Sequence, residues 1–522
     1  MNRKWTDLIP KTSRTRELAG LPSVVTSSPS SASWFIGALG CSLIASCVAG
    51  PNFNKPATPN VSDIIASPLS TTVASANVVA GEAQHFVKAS DIPADWWRLF
   101  HSRPLDDLVK LSLANNPDLK AAQEALTVAR EHTLAQRGAY LPTVSAGFSA
   151  TRLQDPPGAL APVPSSNAFL YSLITPQLSI SYVPDVFGLN RRTVESLKAQ
   201  EQATRFQMIA ADITLSANVV AAAILEASFQ AQIDATHQLI EINSRIVDIL
   251  QYQFDKGYAS RLDLAAQESQ LAQVTATLPP LLKQLNQQQH LLAVLAGRFP
   301  SQVLTEKFEL SSLRLPEDLP VSLPSQLVSQ RPDVLQAEAN LHAASAQIGI
   351  AAANRLPNIQ LTGNAGSTAL AIGQVFKSGT GFWSLGAAVT APLFQGRTLL
   401  HQERAAKAAY EQAADQYRST VLTAFQNVAD TLTALEQDAE GLRTAAKAAD
   451  AATVTLDLSQ RRWKDGYASQ LSLLSAEQAW QQARINLVLS QANRYADTAA
   501  LFQALGGGWW NRKDLTRNDD GK

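Results

Sequence analysis

The chain has 522 residues, 46% of them apolar, and a formal charge of −1 at pH 7. That is ample material for a core, and the length alone would suggest several domains. Charges are scattered along helix faces with no basic patch, which excludes a nucleic acid partner.

The N-terminus carries Arg3, Lys4, Lys11, Arg14 and Arg16, then a Ser-rich spacer and the apolar run from Trp34 to Cys47. A basic region, an apolar run too short to span comfortably and a small-residue end make a secretory signal. The length of the basic region is also compatible with a translation start downstream of Met1. Residues 50 to 92 are rich in Pro, Ser, Thr, Ala, Asn and Val without helical period, and read as an extended leash. Trp96-Trp97-Arg98-Leu99-Phe100 opens the ordered part, its tryptophans expected as packing anchors.

A helical pattern runs from Leu105 to about Arg137 and stops at Leu141-Pro142. Beyond the proline, Val144, Ala146, Phe148 and Ala150 alternate with Thr143, Ser145, Ser149 and Thr151, the pattern of a strand with one apolar and one polar face. A Pro/Ser loop after Asp155 leads to a second strand, in which Leu178, Ile180 and Tyr182 alternate with Ser179 and Ser181. Pro184 to Gly188 turns that strand into a rod.

From Leu189 to Asp255 there is neither glycine nor proline, which allows a helix of roughly 100 Å. The rod is studded with Gln, Asn, Glu, Arg and Lys, so it stands in water, and it must pack against other helices along its length. It ends at Gly257-Tyr258-Ala259-Ser260. There the glycine accepts a left-handed backbone and the serine can cap the next helix, making the tip of a helical hairpin. Leu264, Leu271, Leu278, Leu285 and Leu292 then form a seven-residue seam, which Pro279-Pro280 should kink or break.

The second half repeats this order. Leu356-Pro357 follows Leu141-Pro142 by 215 residues, Phe394 follows Phe187 by 207, and Gly466 follows Gly257 by 209. Strand alternation recurs at Ile359 and Leu361 and from Trp383 to Ala391. A second tip reads Gly466-Tyr467-Ala468-Ser469, and the seam recurs as Leu473, Trp480, Leu487 and Leu501, with Arg494 the exception. Each half is helix, strand, strand, long helix, returning helix.

Two strands per half give four per chain, each near the roughly nine to eleven residues that cross a bilayer when tilted. Four strands cannot close on themselves, and an open edge in lipid leaves backbone groups unpaired. Several chains are therefore expected to pool strands around a wet interior lined by Thr, Ser, Gly and Gln.

Three stretches carry a specific resemblance. The segment Leu319 to Val334, with Ala337-Glu338 and Ile348-Gly349, resembles the central signature of outer membrane efflux proteins related to TolC and OprM, in particular the NodT-type lipoproteins. Ile44-Ala45-Ser46-Cys47 resembles a lipobox, and Cys47 to Phe53 resembles the acylated start of those proteins. Leu501 to Trp509 resembles their C-terminal signature.

The resemblance implies a mainly helical protein with a membrane β-barrel portion: a homotrimer whose twelve-stranded barrel is continued by a periplasmic helical tube. It implies an outer membrane location, a lipid anchor on Cys47, and Val48 at the position that favours outer membrane sorting. With both cysteines, Cys41 and Cys47, at or before that point, the mature chain can form no internal disulfide. The division implied is a leader over 1–46, an extended segment over 47–95, repeats over 96–300 and 323–508, a linker over 301–322 and a polar tail over 509–522.

The function implied is a passive, gated exit duct for drugs or other small toxic compounds, working with a periplasmic adaptor and an inner-membrane RND-type transporter. The adaptor-facing tips map onto Gly257, Tyr258, Ala259 and Ser260 and onto Gly466, Tyr467, Ala468 and Ser469. The entrance constriction maps onto the helix before the second tip, with Leu456, Asp457 and Gln460; Gln460 stands where some relatives carry a carboxylate. A type I secretion duct, a metal-ion channel and a non-channel periplasmic coiled-coil lipoprotein are the alternatives. For metal export, Met1 and Met208 alone offer no sulfur-rich path. His85, His101, His132, His237, His290, His342 and His401 are not paired at metal spacing, and no phosphate loop or nucleophile elbow occurs. No enzyme activity, cofactor or metal site is expected.

Overall fold

The computed structural model describes residues 48–516, apart from 62, 66–68, 157, 159–167 and 303–305. The leader, Cys41 and Cys47 lie outside the described residues. In chain order the elements are β1 (His85–Lys88), α1 (Arg103–Asn115), α2 (Pro117–Arg137), β2 (Thr143–Gln154), β3 (Leu170–Tyr182), α3 (Leu189–Asp255), α4 (Arg261–Ala276) and α5 (Leu278–Leu295). The second half adds β4 (Asp318–Val321), α6 (Pro324–Gln330), α7 (Pro332–Ala353), β5 (Asn358–Ser367), β6 (Gly381–Thr390), α8 (Thr398–Lys464), α9 (Gln470–Ala504) and α10 (Lys513–Thr516). Helix, strand, strand, long helix and return thus occur twice, and α3 and α8 have the same length, 67 residues. The apolar middle of α3 is long enough to cross a membrane, but most of it is buried within the protein.

The chain forms two compact units. The first holds residues up to 57, 127–203 and 337–416, and the second holds 58–126, 204–336 and the rest from 417. The first contains the antiparallel sheet β2-β3-β5-β6. The second contains the main apolar core. There Trp96 is buried and stacks on Phe502 at 5.3 Å, while the indole N–H of Trp97 donates to Asp106 at 3.0 Å, as expected of packing anchors.

Three local readings change. The pattern from Leu105 to Arg137 is two helices, because the Asn116 side chain accepts from the N–H groups of Asp118 and Leu119 and Pro117 starts a new first turn. The expected break at Pro279-Pro280 falls at Thr277, which puts both prolines in the first turn of α5, where no intrahelical N–H is lost. Its counterpart α9 lacks proline and runs 35 residues unbroken.

The third change concerns the leash. Residues 85–88 form β1, which pairs in parallel with β4. The seam exception, Arg494, explains why this segment is ordered. Its fully buried guanidinium donates to the Ala80 carbonyl at 2.9 Å, the Gln84 side-chain carbonyl at 2.8 Å and the Thr72 hydroxyl at 3.3 Å. Gln84 in turn donates to the Pro316 carbonyl and to Thr498.

The C-terminus is also docked. Gly506, Gly507 and Gly508 all have positive φ and reverse the chain after α9. Trp509 then meets Phe206 edge-on at 6.0 Å, and Arg512 pairs with Asp212 of α3 at 2.6 Å.

Candidate functional site

The sheet register sorts side chains into two faces. One row across the four strands is Val144, Ile180, Gly363 and Leu385, and the next row on the same face is Ala146, Leu178, Ala365 and Trp383. The opposite face carries Ser145, Ser179, Asn364 and Ser384, then Thr143, Ser181, Thr362 and Gly386. Polar side chains link neighbouring strands on that face: Gln360 donates to Ser181 at 3.2 Å and Asn364 to Ser384 at 3.3 Å.

The apolar face is bare: Trp383 is 76% exposed, Leu385 80% and Phe148 65%. A continuous apolar sheet surface of this kind suits lipid on one side and water on the other. β2 and β6 are the sheet's outer strands, each paired on one side only among the described residues.

A strap made by the described N-terminal residues docks in the same unit. The Ala49 N–H donates to the Phe187 carbonyl at 3.0 Å. Arg192, buried at the start of α3, donates to the Ala49 and Gly50 carbonyls and to the Asn52 side chain. Arg192 also pairs with Glu195 at 2.6 Å, and His342, hydrogen-bonded to Glu195 at 2.9 Å, stacks on Phe53 with ring centres 4.3 Å apart. Gly50 is seated on Gly349, where a Cβ would lie 2.4 Å from that residue's Cα. Composition gave no signal for Arg192. The one sequence clue is that Gly349 belongs to the central signature.

At the tips, Gly257 and Gly466 adopt φ of +79° and +77°. Tyr258 N–H reaches back to the Gln253 carbonyl at 2.8 Å and Tyr467 N–H to Arg462 at 2.7 Å, closing each helix as a Schellman turn. Ser260 and Ser469 cap the returning helices by accepting from Asp263 and Ser472. Tyr258 is 85% exposed and Tyr467 78%, so the two copies present matching aromatic tips to solvent.

In the segment before the second tip, Leu456 is buried in the cluster that includes Leu239, Leu473 and Trp480. Asp457 is exposed and pairs with Arg461 at 2.8 Å, and Gln460 is half-buried. No group of His, Cys, Asp and Glu able to hold a metal occurs among the described residues.

The outer membrane efflux protein family matches residues 108–298 and 323–507. A similar curated protein is the toluene efflux pump outer membrane protein TtgC of Pseudomonas putida, 29% identical over 478 residues, 91% of this chain and 94% of TtgC. The outer membrane protein OprJ of Pseudomonas aeruginosa is 26% identical over 484 residues, 92% of this chain and 96% of OprJ. Among solved structures, the Campylobacter jejuni CmeC outer membrane channel superposes with a TM-score of 0.81 at 22% identity, covering 90% of this chain and 97% of CmeC. With both repeats matched, and with the sheet and hairpins of such a channel in place, this chain belongs to the outer membrane efflux protein family.

Proposed function

We propose that three copies of this chain pool their four-stranded sheets into one twelve-stranded barrel, and that the assembly is the passive, gated exit duct of a tripartite pump for small toxic compounds. The observation that carries this reading is the sheet: an exposed apolar face, a polar face opposite, and edges at β2 and β6 that lipid would leave unpaired. Homotrimerisation would pair β6 of one copy with β2 of the next. The toluene pump relative supports cargo that is small and apolar.

On this reading Cys47 is acylated, and the docked strap that begins at Val48 would hold the anchor to the first unit. The tips at Gly257–Ser260 and Gly466–Ser469 meet a periplasmic adaptor, which links the duct to an inner-membrane RND-type transporter. The segment from Leu456 to Gln460 narrows the entrance, with Leu456 fixing the helix by packing and Asp457 and Gln460 turned away from that core. The working division remains a leader over 1–46, a segment over 47–95, repeats over 96–300 and 323–508, the linker 301–322 and a tail from 509.

Deletion of the gene should sensitise cells to toluene-like solvents and lipophilic antibiotics, and the purified protein should conduct ions across a planar bilayer. Unchanged tolerance together with absent conductance would overturn the reading.

A further inference from the structure

Just behind the two tips lies a layer of side-chain amides, buried at Asn243, Gln267 and Gln270 and reaching the surface at Gln478. Gln267 of α4 donates to Asn243 of α3 at 2.8 Å, Gln470 of α9 donates to Gln267, and Gln478 of α9 donates to Gln270 at 3.3 Å. Asn243 completes its own bonds through the Leu239 carbonyl at 3.0 Å. Apolar side chains surround the layer, among them Leu264, Leu473 and Trp480, and Trp480 ties α9 to α8 through Thr453 at 3.2 Å.

Glu477 of α9 lies in this layer with no exposed surface, and neither carboxyl oxygen has a hydrogen-bond partner. The nearby Gln267 amide, which already donates to Asn243, opposes the effect of burial on this carboxyl without cancelling it. Four charged groups on the neighbouring elements have partners of their own: Glu241 pairs with Arg245 on α3, Asp263 accepts from Ser260 and Glu268 pairs with Arg261 at α4, and Asp457 pairs with Arg461 on α8. Burial without an opposing charge pushes the Glu477 carboxyl up to about 7.

The internal repeat sharpens the point. With the tips 209 residues apart, the position matching Glu477 in the first hairpin is Glu268, which is 43% exposed and ion-paired with Arg261. The same residue at the same place in the repeat is solvated in one hairpin and sealed in the other. Helical packing alone does not require a carboxyl there.

We propose that Glu477 is a proton-operated latch between the two hairpins: protonated, it leaves the amide layer sealed; ionised, it favours separation of α4 from α9 and so eases opening at the tips. The inference rests on the duct reading for its physiological meaning but not for its test. The carboxyl is protonated in the closed layer up to about pH 7 and ionised in an opened one above about 4.5. Cohesion from this group is therefore complete below that lower value and is lost as pH rises through the upper one.

The test is amide hydrogen exchange of the full-length protein in detergent, read on peptides covering 255–264 and 464–473, as the ratio of wild type to Glu477→Gln at each pH. The ratio should rise by up to about tenfold per pH unit between pH 5 and 7, then level off. The exposed counterpart, Glu268→Gln, should keep the wild-type profile. A ratio flat across this range, or a profile abolished by Glu268→Gln, would overturn the latch. Should Glu477→Gln fail to fold, isotope-edited infrared spectroscopy of the wild type decides: a protonated glutamate band lost near pH 7 is expected, and loss of all such bands near pH 4.5 overturns it. Neither readout needs conductance or export, so a protein that neither conducts nor confers tolerance would sink the duct and leave the latch standing.

Discussion

Arg512 and Asp212 stand 300 residues apart in sequence and 2.6 Å apart in the fold, and their pairing turns what composition reads as a polar tail into a clasp on α3. Asp212 is buried, which pushes its carboxyl up to about 6 even with the guanidinium beside it. Arg512→Ala leaves that carboxylate without its counter-charge and should cost about 3 kcal/mol at pH 8. The loss should be smaller at pH 5, where Asp212 can take up a proton. Urea unfolding at the two pH values checks this; an equal loss at both would place the cost in packing rather than charge.

Arg494 offers a second test. Replacing it with Leu restores the leucine seam of α9 but strands acceptors on Ala80, Gln84 and Thr72, so Arg494→Leu should destabilise the second unit by roughly 3 kcal/mol. Limited proteolysis should then cut within residues 70–92 faster than in wild type. Unchanged cleavage would mean that the β1–β4 pairing holds the segment without the arginine.

These two residues also mark how far the sequence could be read. The tips were legible because a glycine with positive φ and a capping serine act within a few residues, and the strands of the four-stranded sheet were legible because alternation is written along each one. The β1–β4 pair was not. Each strand has four residues, too few for a period, and its partner lies more than 200 positions away. Arg494 and Arg192 were hidden for the same reason, since their acceptors are main-chain groups of distant segments that carry no sequence signature. Leu456 was legible as helical, but not as a residue packed into the cluster with Leu239 and Trp480.

The strap should depend on Arg192. Arg192→Ala removes the donors to Ala49, Gly50 and Asn52 and should raise proteolysis around Lys55 by at least several-fold, with helix content unchanged. Gly349→Val should act in the same direction, because a Cβ there would lie 2.8 Å from the Ala49 carbonyl. A strap still protected in both variants would contradict the docking described.

At the tips, Tyr258→Asp and Tyr467→Asp change exposed side chains, so each should alter stability by no more than about 0.5 kcal/mol. Export should nevertheless fall sharply if these surfaces receive the adaptor. Solvent-tolerance assays with matched expression levels check this, and full tolerance in the double variant would move the adaptor contact elsewhere.

The central claim is that this chain's sheet is incomplete alone. Light scattering of the detergent-solubilised full-length protein tests it most directly: a particle containing three protein chains is expected, and a stable, folded particle containing one chain would contradict it.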